Sequence, residues 1–231
     1  MASLDLEDLR KALAAHELAP SSEVIPGIVR REAGVLVPVR VGPSPSVLLT
    51  ARGEGMREHA GELCFPGGKP EQTDADLART ALREAHEEIG LAPSNVQLVG
   101  PLSPVPTATS AYRLNPFVGA ITEGASSWTL SPEVSRVVDL PLDAAARGDV
   151  RFCVTLFPWR GAEHPTPFFE TGDGSVVYGA TAYVLWELFA VLAPLGYALP
   201  EPAIVAAPPW MDALVERFRA LEAKARAHSP R

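Results

Sequence analysis

The stretch DADLARTALREAHEEIGL, residues 74–91, constrains this chain more than any other. Ala78, Leu82, Ala85 and Ile89 recur at intervals of four, three and four, which is one stripe of an α-helix; Asp74 can cap its start and Gly90 can end it. On a wheel of about 100° per residue, Glu84, Glu87 and Glu88 share an arc away from that stripe. The helix must bury one side and still carry three carboxylates on another. Like charges at this spacing repel by roughly a few tenths of a kcal/mol per pair. Arg83, four residues before Glu87, can pair with it but cannot neutralise all three acids. A hard divalent cation can, because magnesium takes oxygen ligands, keeps several waters and bridges carboxylates to substrate phosphates. Just upstream, HAGELCFPGGKP (residues 59–70) runs a short apolar strand into Pro66, Gly67 and Gly68. Two glycines let backbone approach a metal or ligand closely, and the proline restricts the turn that aims them.

The other segments say what the helix packs against. SLDLEDLRKALAAHEL opens with Ser3 as a cap and repeats leucine at 6, 9 and 13, predicting a short amphipathic helix. GVLVPVRV and SVLLTAR read as strands, with Pro38 pointing to an edge or a bulge in the first. VQLVG, YRLNPFVGAI, EVSRVVDLPL and VRFCVTLF supply further strands; GATAYVLWELFAVLAPL reads as a largely buried helix and PPWMDALVERFRALEAKARA as a more polar one. Strands outnumber helices without regular alternation, so the expected class is α+β, a mixed sheet with helices packed on it.

The formal charge of -8 disfavours a nucleic-acid partner, and an anionic substrate needs local positive help. No apolar run approaches the roughly 20 residues of a spanning helix, and no secretory leader is evident, so a cytoplasmic protein without a membrane partner is expected. Cys64 and Cys153 lack metal-ligand spacing; both are expected as reduced, buried strand residues outside the site.

GGKPEQTDADLARTALREAHEEIGL resembles the Nudix box, G-x5-E-x7-R-E-U-x-E-E-x-G-U with U aliphatic. Arg83, Glu84, Ala85, Glu87, Glu88, Gly90 and Leu91 stand where that pattern places them. Counted from Gly68, the first acid is Asp74 instead of glutamate, and eight residues instead of seven separate it from Arg83. This departure is usual in one subfamily, the coenzyme A diphosphatases. LLTARGEGMREHAGELCFPGG resembles their additional motif, with Arg52, Arg57, His59 and Gly61 at matching positions, and TSAYRLNPFVG, PEVSRVVDLPL and VYGATA extend the likeness downstream.

The resemblance implies a Nudix fold, an α/β/α sandwich around a mixed sheet. It divides the chain into an N-terminal helix and linker (1–24), a Nudix domain (25–195) and a C-terminal helical extension (196–231). It implies a magnesium or manganese site at Glu84 and Glu88, with Glu87 and the carbonyl of Gly67 as further ligands. Glu84 is the first choice of general base, Glu133 a second, and Arg83 orients a glutamate. Arg52, Arg57, His59 and Lys69 are the candidate contacts to coenzyme A or a derivative, while Tyr112 and Arg113 can line the adenine or pantetheine path. Hydrolysis of the pyrophosphate of coenzyme A is the expected reaction. Cleavage of ADP-ribose or another nucleoside diphosphate derivative is the alternative, and a non-catalytic nucleotide-binding regulator is a second one.

Overall fold

The computed structural model describes residues 3–20, 28, 30–53, 62–108, 110–121, 127–159 and 162–228. Helix α1 (Leu6–Ala15) is capped by the carboxylate of Asp5, which accepts from the Asp8 amide at 2.8 Å, so Asp5 and not Ser3 starts it. Its leucine stripe works as expected, with Leu9 and Leu13 buried. Next come strands β1 (Arg31–Arg40), β2 (Ser46–Arg52), β3 (Leu63–Cys64) and β4 (Gly67–Gly68), then helix α2 (Leu77–Ile89). Strands β5 (Val96–Pro101), β6 (Val105–Pro106), β7 (Tyr112–Ile121) and β8 (Val134–Pro141) follow, then α3 (Leu142–Arg147). Strands β9 (Arg151–Trp159), β10 (Ala162–Glu170) and β11 (Val176–Val177), helix α4 (Gly179–Leu192), strand β12 (Ala203–Ile204) and helix α5 (Met211–His228) complete the chain.

Strands β1 to β8 form one mixed sheet, in which β1 and β7 are parallel over ten residues, from Arg31 opposite Tyr112 to Arg40 opposite Ile121. Side chains alternate along strands. Val35, Val37, Val39, Val47, Leu49 and Ala51 therefore face one way, toward the leucines of α1 and the apolar side of α4. Leu36, Leu48 and Ile121 face the other way, toward Ala81, Leu82, Ala85 and Ile89 of α2. A sheet covered on both faces explains why GVLVPVRV is a continuous apolar run without strict alternation. A second sheet, ordered β11, β10, β9 and β12, carries the last third of the chain.

Two expectations need correction. Strand β1 is interior rather than an edge, and its register with β7 is unbroken. Pro38 is tolerated because the other side of β1 changes partner there: β4 pairs at Gly34 and Val35, β2 at Val39 and Arg40. The Leu36 amide donates to the Pro66 carbonyl at 2.9 Å, and the nitrogen of Pro38, two residues on, points the same way into the break. Strand β10 and helix α3 were not expected. Pro165 and Pro167 hide β10, yet their period of two puts both nitrogens on one edge while β9 pairs along the whole strand.

Candidate active site

Helix α2 begins at Asp76, whose carboxylate accepts from the Arg79 amide at 2.8 Å, and ends at Gly90 with φ of 72°. Asp74 is thus not the cap. The apolar stripe presses Ala81, Leu82, Ala85 and Ile89 onto the sheet, and this turns Glu84 and Glu88 toward the glycine strand β4. Three glycines make that approach possible. A Cβ on Gly34 would strike the Leu77 carbonyl, one on Gly67 would lie 2.6 Å from the Gly34 oxygen, and one on Gly68 would overlap the Glu84 carboxylate. A side chain at Gly34 would push α2 off the sheet, one at Gly68 would displace the Glu84 carboxylate, and one at Gly67 would part β4 from β1. The Gly67 amide faces Glu88, with its nitrogen 3.5 Å from Oε1.

Arg83 organises the acids around this contact. Its Nε and Nη2 donate to Asp74 at 3.1 and 3.0 Å, its Nη1 to Glu87 at 3.1 Å, and its Nη2 also to the Lys69 carbonyl at 2.9 Å. Glu84 Oε1 lies 3.1 Å from the same Nη2. Asp74 accepts further from Thr80 and from the Glu71 amide, each at 2.9 Å. The guanidinium holds the Asp74 carboxyl down to about 2, with the Glu71 amide helping, and Asp74 holds the Arg83 proton more firmly in return. The pair at 74 and 83 clamps the loop after the glycines to the helix. Glu87 is more than half exposed and spent on Arg83.

Glu84 and Glu88 both shift in the direction opposite to Asp74. Burial raises the Glu84 carboxyl against the opposing pull of Arg83. Burial pushes Glu88 up to about 7, with Glu84 and Glu133 adding negative charge and the Gly67 amide and Arg52 working against it. Exposed Glu133 is held near by its backbone: its carbonyl accepts from the Gly53 amide at 2.8 Å, and the Ser131 amide donates to the Glu88 carbonyl at 2.9 Å. Arg52 is thereby close enough to act on Glu88, and Lys69 approaches the Tyr112 ring to 5.8 Å. Arg113 is occupied by Glu32, which Asn115 also binds at 2.7 Å. Arg57, His59 and Gly61 lie outside the described residues.

Cys64 stands nearer this cluster than its sequence context suggested. Thr50 donates to its carbonyl at 3.1 Å, burial pushes its thiol up, and both Arg52 and Glu88 act on that thiol. The only sequence signal was its place two residues before Pro66.

The donor set fits a hard cation. Among the described residues, no three His, Cys, Asp or Glu side chains gather as a ready metal cage. Two half-buried carboxylates, Glu84 and Glu88, meet at glycine backbone where a Cβ would fill the space. Magnesium suits such a site because one or two carboxylates hold it while water and substrate phosphates complete its octahedron.

The description NUDIX domain matches residues 30–151. The chain is 41% identical over 163 residues to a Pectobacterium atrosepticum protein named Uncharacterized Nudix hydrolase NudL, covering 69% of this chain and 81% of that one. It is 36% identical over 168 residues to the Escherichia coli protein of the same name, covering 68% and 81%. Among solved structures, a MutT/nudix family protein from Enterococcus faecalis is 13% identical, with a TM-score of 0.48 covering 82% of this chain and 70% of that one.

Proposed function

The chain belongs to the NUDIX domain family, and from that premise we propose that it hydrolyses the pyrophosphate bond of coenzyme A or a derivative. The products are 3',5'-ADP and 4'-phosphopantetheine, acylated where the substrate is. It is a Nudix hydrolase with the Nudix fold, acting on phosphoanhydride bonds, and enzymes of this family generally use divalent metal ions. The proposed unit for this reaction is residues 25–195.

The observation that carries the reading is the meeting of Glu84 and Glu88 at the Gly67–Gly68 backbone, with Arg52 of the LLTAR stretch acting on Glu88. Glu84 and Glu88 would hold magnesium or manganese, with Glu87 and the Gly67 carbonyl as further ligands. The cation, when bound, polarises phosphate oxygens and acidifies water. Arg83 restrains the Glu84 carboxylate through an ion pair of 3.1 Å and anchors the glycine loop through Lys69. Glu84 is the proposed base; a carboxylate whose pKa is raised by burial is better suited to take a proton. Glu133 is the second candidate for this role. Arg52, Arg57, His59 and Lys69 are the proposed contacts to the pyrophosphate and the 3'-phosphate, for which arginine's planar fork suits the geometry.

The same reading takes a small-molecule substrate as partner and a cytoplasmic location. Cys64 and Cys153 are free thiols, as a reducing compartment favours, and no helix among the described residues is long and apolar enough to cross a membrane.

Purified protein incubated with coenzyme A, ADP-ribose or dinucleotides, with magnesium or manganese, decides the matter by product mass. The expected result is metal-dependent release of 3',5'-ADP. Faster turnover of ADP-ribose than of coenzyme A would replace the substrate, and binding without turnover would replace the enzyme by a regulator.

A further inference from the structure

On the opposite side of the sheet from α2, a cavity of about 780 Å³ opens between α4, α5, the β9–β10 hairpin and β6. Its size is that of a small-molecule site. Helix α4 is apolar nearly all round, and half of its residues are buried. Its uncovered stripe, with Ala180, Tyr183, Trp186 and Ala190, forms one wall. Tyr183 and Trp186 are each 37% exposed, and the Trp186 ring also packs on Phe152 with centroids 5.5 Å apart. Leu214, Val215 and Phe218 of α5 form the facing wall, and Phe157 packs edge-on against Phe218 with centroids 5.7 Å apart.

Several polar groups around the cavity, Glu187, Ser103, His16 and Tyr183, are already engaged. Glu187 accepts from the Ser103 amide at 3.0 Å and the Ser103 hydroxyl at 2.5 Å, and lies 2.7 Å from His16 Nε2. The Tyr183 hydroxyl donates to the Pro165 carbonyl at 2.8 Å. What remains for a ligand is apolar surface, with Glu17 and Glu187 at one end to repel an anionic head.

We propose that this cavity binds an uncharged hydrocarbon chain, held between the walls of α4 and α5. Two sources share that chemistry: the tail of an acylated substrate, or a separate neutral amphiphile. A substrate tail rests on the coenzyme A reading and would reach the cavity along the β6–β7 edge. The β6 wall, Val105 and Pro106, pairs with Leu114 and Arg113 of β7, next to Tyr112, whose ring Lys69 approaches from the glycine strand. The hydrocarbon site itself does not depend on that reading.

The test uses the full chain and the variants Ala190→Phe, which fills the cavity from an exposed helix position, and Leu214→Glu, which charges it. Thermal melting first establishes that the variants are folded. In calorimetric titration with 1-octanol, the wild type should bind at least tenfold more tightly than either variant. Octanoyl coenzyme A should be cleaved at least tenfold more efficiently than coenzyme A if the tail belongs to the substrate, and the variants should erase that ratio while leaving coenzyme A turnover unchanged. Octanol binding with equal rates on both thioester and thiol assigns the site to a separate amphiphile. Octanol binding with neither coenzyme A compound cleaved retains the cavity site and removes the coenzyme A reading. Absent octanol binding, or binding that both folded variants retain, overturns the proposal; so does a wild-type dimer that the variants dissociate, since a second copy then covers the walls.

Discussion

The two sides of helix α2 hold their acids by opposite means. On the side of Arg83, Asp74 and Glu87 lie against a guanidinium, and Asp74 is held near 2. On the side of the glycine strand, Glu84 and Glu88 are pressed against backbone and burial raises both carboxyls, Glu84 in spite of its own 3.1 Å contact with Arg83. The acids on Arg83 build the loop, whereas the pressed pair presents negative charge that a cation can neutralise. An acid's place in a motif therefore does not reveal its work; its neighbours do.

Glu84→Gln should break the comparison most severely. Turnover should fall by about 10²–10⁴-fold with the fold intact, the range expected for a base held in place; wild-type rates in magnesium would remove Glu84 from the chemistry. Arg83→Ala releases both sides at once. Metal affinity or activity should drop roughly 10–100-fold, as for other groups that orient a ligand, and titration with manganese checks it. Arg57→Ala and Arg52→Ala should lower kcat/KM for coenzyme A about tenfold more than for ADP-ribose, the size of one charge-assisted contact. Equal losses on both substrates would exclude a 3'-phosphate contact.

Two stability measurements sharpen the contrast. The Glu88 carboxyl titrates at about 7 in the fold against an ordinary 4.5, so its burial costs nothing when it is neutral in both states. The cost grows as pH rises from 4.5 and is complete above about 7. In chelator at about pH 8, Glu88→Gln should gain roughly 1–3 kcal/mol in denaturant unfolding, and gain nothing near pH 4. Asp74 has the opposite sign. Its folded value of about 2 lies below 3.8, so its contribution is full above 3.8 and lost as pH falls toward 2. Asp74→Asn should flatten the melting curve across that acid window, the smallest of these effects, and an unchanged slope would detach Asp74 from Arg83.

Much of this was legible in the residues. The period of α2 and its three glutamates needed no coordinates, and YRLNPFVGAI is strand β7 end to end. The cap of α2 was misread because Asp74 and Asp76 are equally suitable caps in sequence, and only the position of Arg83 separates them. Strand β10 was hidden because prolines argue against a strand until one knows that an edge is open. Cys64 was set apart from the site because its proximity to Glu88 depends on β3 folding beside β2, a long-range pairing that no local pattern announces.

The parallel pairing of β1 with β7 has a consequence for how the protein is made. These strands join residues 31–40 to residues 112–121, and the glycine strand and α2 lie in the segment between them. Closing so long a loop is entropically slow. A nascent chain emerging from the ribosome therefore has no finished binding cleft until Ile121 is free to dock, and any enzymatic competence should arrive late and all at once.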